Sequence, residues 1–216
     1  MREVVVVELV SLDGVMESPE EWAFSYSYDE IEEANASGMA ASDALLMGRV
    51  TYEQMVAYWP NQQGGMPMVD YINGVPKYVV STTLEEPLEW NNSTLIRSNV
   101  AEEIARLKRQ PGEDVTILGS GALVRSLLRG DLIDELRLMV HPLVLGGEKR
   151  LFEEGGWSAS AGTRGLQDVR HGRPLSCLPA ATEQKHICLI SQEGRRTTCR
   201  EGAILSTTRS LWICVW

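Results

Sequence analysis

Two stretches, Asp43–Glu53 (DALLMGRVTYE) and Asp114–Leu128 (DVTILGSGALVRSLL), share one design and decide the fold of this chain. Each begins with a short apolar run typical of a buried strand, turns at glycine, and continues directly with a helical pattern. The first backbone N–H groups of such a helix lack intrahelical partners, and the helix macrodipole adds positive potential there. Each stretch therefore predicts a strand–turn–helix unit with an anion site, and two such units favour a phosphate-rich ligand, most plausibly a dinucleotide.

Strand and helix patterns alternate over the first 128 residues, beginning with the β-branched run Val4–Val10. This alternation predicts right-handed crossovers and a largely parallel sheet, and hence an α/β fold. The later patterns at Ile133–Val140 and Leu143–Leu145 indicate antiparallel strands added at one edge. Ligands of parallel sheets bind at the carboxyl ends of the strands, where both glycine turns are expected to lie.

Composition excludes several classes of protein. The chain has 216 residues and a net charge of −10, which argues against a nucleic-acid binder because that function needs a basic face. No apolar run approaches the roughly 20 residues that span a bilayer. The segment Met1–Glu8 carries an acid within its apolar run and lacks a small-residue cleavage site, which predicts a first strand rather than a signal peptide. We therefore expect a cytoplasmic protein that does not interact with membranes.

The chain changes character after residue 156. Residues 1–156 hold 26 acidic and 12 basic side chains, whereas residues 157–216 hold 4 acidic and 8 basic ones together with all four cysteines. We expect a domain over 1–156 and an atypical tail over 157–216, which is a separate subdomain, a disordered extension or the product of an altered reading frame. The cysteines form no CxxC pair, so no metal site is expected.

The first glycine turn combines three residues that suit a phosphate. Gly48 permits a sharp turn, Thr51 can cap the helix or bond a phosphate oxygen, and Arg49 offers a charged planar fork. Such a fork fits a phosphate monoester such as the 2′-phosphate of NADPH. The alternative is an ordinary strand-to-helix turn with a solvated arginine, which this motif alone would favour.

The second glycine turn, Leu118–Leu123 (LGSGAL), has small residues that allow a pyrophosphate to approach the following N–H groups. The full GxGxxG fingerprint is absent because Val124 occupies the position of its third glycine. A plain Rossmann domain is therefore disfavoured. The hydroxyls of Ser81–Thr83 follow another predicted strand. They either bond an adenosine phosphate or satisfy their own turn.

The order of five motifs resembles the dihydrofolate-reductase-like family, and more narrowly the branch related to the C-terminal reductase domain of bacterial riboflavin biosynthesis enzymes. The resemblance covers about residues 1–154, and the tail does not match. The motifs are SLDG at 11–14, LLMGRVTYE at 45–53, YVVS at 78–81, ILGSGA at 117–122, and DELRL with HP, LGG and RLF between 134 and 152.

The resemblance implies a three-layer α/β/α fold with a mostly parallel sheet, NADPH as cofactor, a small-molecule substrate and a homodimer. It places cofactor phosphates at Gly48, Arg49 and Thr51 and the adenosine end near Ser81 and Thr82. The residues expected around the pyrophosphate are Gly119, Ser120, Gly121, Ala122 and Leu123. It also places the loop at Asp13 and Gly14 beside the nicotinamide and the substrate.

Hydride transfer to a C=N or C=O bond usually needs a proton donor. Asp13 in its loop and Asp29 near the first helix are the candidate catalytic residues, although each is also compatible with a solvated acid or a helix-end charge. The hypothesis is an NADPH-dependent reductase of a small heterocyclic compound (pterin-, pyrimidine- or riboflavin-precursor-like) or a carbonyl compound. The alternatives are a non-catalytic nucleotide-binding or dimerisation module of the same fold and a poorly folded product of a damaged reading frame.

Overall fold

The computed structural model describes residues 1–23, 29–147, 149–152, 161–168, 173–174 and 211–215. These residues form a nine-stranded sheet with helices on both faces. The strands, in chain order, are β1 (Val4–Ser11), β2 (Ser42–Gly48), β3 (Lys77–Val80), β4 (Ser93–Ile96), β5 (Asp114–Leu118), β6 (Glu135–His141), β7 (Ala161–Asp168), β8 (Arg173–Pro174) and β9 (Leu211–Val215). Their order across the sheet is β4-β3-β2-β5-β1-β6-β9-β7-β8.

The six strands from β4 to β6 in this order pair in parallel, which confirms the predicted α/β fold. At the centre, Val7 of β1 is in register with Leu118 of β5 and Arg137 of β6. Because parallel strands end at the same edge, the turns that follow Gly48 and Leu118 lie side by side on neighbouring strands.

The far edge of the sheet differs in part from the sequence prediction. β6 pairs with β1 in parallel because helix α6 (Gly121–Arg129) returns the chain to the edge where β1 starts. Among the described strands, β7 and β8 form the antiparallel pair. Leu143–Leu145 forms no strand, since the Leu145 N–H donates to the Asp13 carboxylate at 3.1 Å. The predicted antiparallel edge is therefore wrong for β6 and for Leu143–Leu145.

The helices complete three layers, as predicted. They are α1 (Pro19–Trp22), α2 (Asp29–Ala40), α3 (Arg49–Tyr58), α4 (Pro67–Gly74), α5 (Val100–Arg109) and α6. On one face, Val4 and Val6 of β1 pack in a buried cluster with Ile104 of α5 and Leu127 of α6. On the opposite face, strand residues pack with α3 and α4 in a second cluster. The buried members of this cluster are Leu45, Met47, Tyr52, Ile72, Val79 and Trp90.

Three of the strands come from the 157–216 segment. β9 lies between β6 and β7 and pairs in parallel with both, with Glu135 opposite Trp212. Cys177, Cys188 and Cys199 lie outside the described residues. The boundary at residue 156 and the nature of the remaining tail stay predictions.

Candidate functional site

The two glycine turns form one surface, here called the cradle and defined by Gly48–Thr51 and Gly119–Leu123. β2 and β5 are neighbours, so the starts of α3 and α6 face the same edge of the sheet. Neither helix has a side-chain hydrogen bond at its N-cap. The first N–H groups of both helices are therefore oriented to bind an anion.

Ser120 joins the two halves of the cradle. Its Oγ accepts the Gly48 N–H at 3.0 Å and donates to Thr51 Oγ1 at 2.9 Å. Sequence analysis placed Gly48, Thr51 and Ser120 at the cofactor separately, and the structure brings them into contact. One hydroxyl thus fixes the spacing between the two helix starts.

The second turn depends on left-handed backbone. Gly119 has φ +65° and Ser120 also has φ +65°, a region that L-residues other than glycine rarely adopt. A Cβ on Gly119 would sit 3.6 Å from Thr51, which is an ordinary contact, so conformation rather than space explains the glycine. Leu123 is buried below the turn, whereas Ala122 is exposed at the start of α6.

Arg49 stands exposed at the start of α3. Its Nη1 contacts both oxygens of Glu53 at 3.0 and 2.9 Å, and both side chains are nearly half exposed. An exposed pair four residues apart on a helix contributes about 0.3–0.5 kcal/mol. So small a contribution leaves the guanidinium available to a phosphate.

The Ser81 hydroxyl satisfies its own turn. Ser81 Oγ accepts the N–H groups of Thr83 and Leu84, each at 3.1 Å, and the residue is buried. This arrangement matches the structural alternative stated for Ser81. Thr82 beside it is exposed. Contact of Ser81 and Thr82 with an adenosine phosphate stays a prediction.

Asp13 connects two loops. Its carboxylate accepts the Ser11 hydroxyl at 2.6 Å and the Leu145 and Gly146 N–H groups at 3.1 and 2.9 Å. These bonds, with that from Ser11 the strongest, lower the pKa of Asp13 to about 2. Such a carboxylate carries no proton near neutral pH, so its environment favours holding the loops together over proton donation.

The second catalytic candidate is less defined. Asp29 begins α2, and its side chain lies outside the described residues. The catalytic roles of Asp13 and Asp29 therefore stay predictions.

A cleft of about 260 Å³ lies between α2, α4 and the sheet. It reaches the cradle at Leu118, the residue before Gly119, and Val7 and Met139 line its sheet side. Arg137 and Glu135 also line it, with Arg137 Nε 2.6 Å from Glu135 Oε1. Sequence analysis did not identify this ion pair, although the i,i+2 spacing within a strand places both residues on one face.

Glu8 is a second residue that sequence analysis missed. It shares the α5–α6 face of β1 with Val6 and Val10 and is only 3% exposed. Burial raises the pKa of Glu8 to about 8, and a hydrogen bond from the Gly119 N–H lowers it in part. Its Oε1 has no hydrogen-bond partner among the described residues. The signal was an acid in the apolar run of β1, two residues from Val6 and from Val10.

We expect the Ser120–Thr51 hydrogen bond to contribute about 1 kcal/mol to stability. A double-mutant cycle of Ser120→Ala and Thr51→Val, followed by urea unfolding, should give a coupling free energy of that size. Ser120→Ala combined with Thr94→Val is the control, since Thr94 is exposed on β4, and should be additive. Equal coupling in both cycles would contradict a specific bond between the halves of the cradle.

The described residues lack a membrane-spanning helix and a cluster of metal ligands. No helix there is both long and apolar enough to cross a membrane. No three His, Cys, Asp or Glu side chains in those residues lie close enough together to hold a metal ion.

Comparison with known proteins identifies the family of this chain. The model of the RibD C-terminal domain matches residues 2–173, which extends past the 1–154 range of the motifs. The crystal structure of a protein assigned to riboflavin biosynthesis in Shewanella sp. PV-4 superposes with a TM-score of 0.58 and 25% identity, covering 72% of this chain and 86% of that one.

Two Bacillus subtilis proteins are similar in sequence. The uncharacterized protein YyaP is 33% identical over 113 residues, covering 51% of this chain and 59% of YyaP, so the match spans less than two thirds of that relative. The uncharacterized protein YwjB is 29% identical over 157 residues, covering 71% of this chain and 84% of YwjB. The family match covers most of the chain, and the chain belongs to the RibD C-terminal domain family.

Proposed function

We propose that this protein is an NADPH-dependent reductase that transfers a hydride to a small heterocyclic or carbonyl substrate. The observation that carries the proposal is the cradle: two helix starts without side-chain caps, joined by Ser120 and adjoining a cleft at Leu118. The family to which the chain belongs supports it.

The cradle fits a dinucleotide. The helices α3 and α6 have ten and nine residues, and their first N–H groups can bind a pyrophosphate. The positive φ of Gly119 turns the backbone, rather than a side chain, toward that pyrophosphate. Arg49 at the exposed side would hold the 2′-phosphate that distinguishes NADPH from NADH. When bound, NADPH supplies the hydride, and the protein positions it.

The cleft would hold the hydride acceptor. A substrate bound there would lie next to Leu118 and the second glycine turn, and the mixture of apolar walls with one ion pair suits a small planar or carbonyl compound. Holding both reactants in a fixed orientation is the main contribution that these residues can make to the rate. A small-molecule substrate and a homodimer stay predictions.

A non-catalytic nucleotide-binding or dimerisation module is the second candidate. The observation that favours this candidate concerns Asp13. Its hydrogen bonds to the Leu145 and Gly146 N–H groups and its low pKa make it a poor proton donor. Loss of NADPH absorbance on addition of small heterocyclic and carbonyl compounds separates the two candidates. Turnover with any of them would exclude this second one.

We expect Arg49→Ala to weaken NADPH binding about tenfold and to leave NADH binding unchanged, because a charge-assisted bond to the 2′-phosphate is lost. Titration followed by nucleotide fluorescence measures both affinities. Arg129→Ala removes the same charge at the far end of α6, where Arg129 is exposed, and should change neither affinity. A folded protein that does not bind NADPH would overturn the proposed function, and an unchanged NADPH/NADH ratio would overturn only the role of Arg49.

A further inference from the structure

Glu8 lies directly behind the second turn of the cradle. β1 and β5 are in register at Val7 and Leu118, so Glu8 follows one residue later beside Gly119. The Gly119 N–H donates to the Glu8 carboxyl, and the remaining oxygen, Oε1, has no partner among the described residues. A buried carboxyl with an unsatisfied oxygen is uncommon and calls for a functional explanation.

The charged groups on the surrounding described elements have contacts elsewhere. Burial, and to a smaller extent the Gly119 bond, shift the pKa of Glu8. Arg125 of α6 donates to the Arg150 carbonyl, and Lys108 of α5 pairs with Asp134. The other such groups and their contacts are Asp114 with the Glu3 N–H, Arg137 with Glu135, Arg106 with Glu103, Arg150 with Asp13, and His141 Nδ1 with the Met139 carbonyl; Glu102, Arg109 and Arg129 are exposed.

We propose that Glu8 is a positioning residue of the cradle, which binds the phosphates of a dinucleotide more tightly while the Glu8 carboxyl is neutral. The inference rests on the proposed function. The neutral carboxyl anchors the Gly119 turn without adding negative charge behind it. Once ionised, it would repel phosphates bound at the start of α6, and in a poorly solvated site that repulsion weakens binding on the order of tenfold.

Linkage gives this repulsion a measurable consequence. Because the ligand prefers the protonated form, its binding must favour proton uptake by Glu8. Near pH 8, where the unliganded protein is partly deprotonated at this site, binding should therefore take up a fraction of a proton. Glu8→Gln keeps the shape and the acceptor for the Gly119 N–H but cannot ionise, so its binding should not depend on pH in this range.

The test measures NADPH and NADH dissociation constants between pH 7.5 and 9.5 for three full-length proteins: the wild type, Glu8→Gln and the control Glu102→Gln. The range avoids the 2′-phosphate, which titrates near pH 6, about as other phosphate monoesters do. Glu102 is exposed in the first turn of α5. For wild type and control, both constants should rise about sixfold across the range, whereas those of Glu8→Gln should stay constant.

Calorimetry in buffers of different ionisation enthalpy should show proton uptake near pH 8 for the wild type and none for Glu8→Gln. Because Glu8→Gln could fold poorly, an NMR titration of carboxyl-labelled glutamate in the wild type provides a second measurement. NADPH should move the midpoint of the Glu8 titration to higher pH. A parallel pH dependence in all three proteins, or an unmoved midpoint, overturns the inference while leaving NADPH binding intact. Absence of NADPH binding by the folded wild type overturns the proposed function as well.

Discussion

Lys77→Ala is expected to lower the free energy of unfolding by about 3 kcal/mol, because it opens a cavity and removes three hydrogen bonds at once. Lys77 begins β3 and is fully buried. Its Nζ donates to the carbonyls of Asn73, Val75 and Asn91 at 3.1, 2.9 and 3.4 Å, and lies 4.6 Å from the centre of the Trp90 ring. The first two carbonyls belong to the end of α4, where a cation is favoured by the helix dipole.

The same network reaches α3, the helix whose start belongs to the cradle. The Trp90 indole donates to Asn73 Oδ1, and the Trp90 backbone N–H donates to the Tyr52 hydroxyl on α3, each at 3.0 Å. Lys77 therefore helps to hold the β3–β4 connection, which contains Trp90, in its packed position on α3. The effect should appear in stability rather than in affinity, so NADPH binding by the folded fraction should change less than about twofold.

Urea unfolding of Lys77→Ala, Lys77→Met and Lys149→Ala measures this effect. Lys77→Met retains most of the apolar stem and should lose about 1 kcal/mol. Lys149 is 73% exposed and pairs with Glu17, so its removal should cost less than about 0.5 kcal/mol. A loss for Lys77→Ala no larger than for Lys149→Ala would contradict the role assigned to the buried amine.

The pH dependence of Lys77 gives a further check. Burial lowers the pKa of Lys77 to about 8 from a usual value of 10.5. Between these values the unfolded chain binds the proton and the folded chain releases it, so stability rises with pH. The wild type should gain up to about 3 kcal/mol relative to Lys77→Met between pH 8 and 10.5. An unchanged difference across that range would show that Lys77 keeps an ordinary pKa.

The cradle was predictable from sequence because its signals are local. A strand, a glycine turn and a helix start occupy only a few consecutive residues in both Asp43–Glu53 and Asp114–Leu128. Their position at one edge of the sheet also followed from the rule that parallel strands end at the same edge. That β2 and β5 are neighbours required the structure. The Ser120–Thr51 bond did not, because it joins residues 69 positions apart and depends on the left-handed conformation of Ser120.

The surroundings of Asp13 and Glu8 could not be predicted fully from the sequence, because both depend on contacts between distant parts of the chain. Asp13 was expected at the substrate, but its carboxylate is bonded to N–H groups more than 130 residues away, which no local pattern indicates. Glu8 carried a usable signal, since alternation in β1 puts it on the same face as the buried Val6 and Val10. Its closeness to Gly119 required knowledge that β1 and β5 are neighbours.

Arg137→Leu is expected to lower the free energy of unfolding by about 3 kcal/mol, because it leaves a buried carboxylate without the guanidinium that now faces it. The Glu135 side chain is 5% exposed and that of Arg137 is 23% exposed, with 2.6 Å between Nε and Oε1. The ion pair lines the cleft beneath α2 rather than the cradle. NADPH affinity should therefore stay within about twofold of the wild type while stability falls.

A matched pair elsewhere in the chain isolates the effect of burial. Arg106 and Glu103 also approach to 2.6 Å, but their side chains are 54% and 35% exposed, so Arg106→Leu should cost less than about 1 kcal/mol. Adding Glu135→Gln to Arg137→Leu removes the buried charge that Arg137 now faces and should restore at least half of the lost stability, whereas a merely steric effect of leucine would leave the double variant as unstable as the single one. Such a recovery, measured by urea unfolding beside NADPH titration, would establish that the cleft carries a compensated ion pair. A substrate entering it would then meet a donor and an acceptor side by side, and not a net charge.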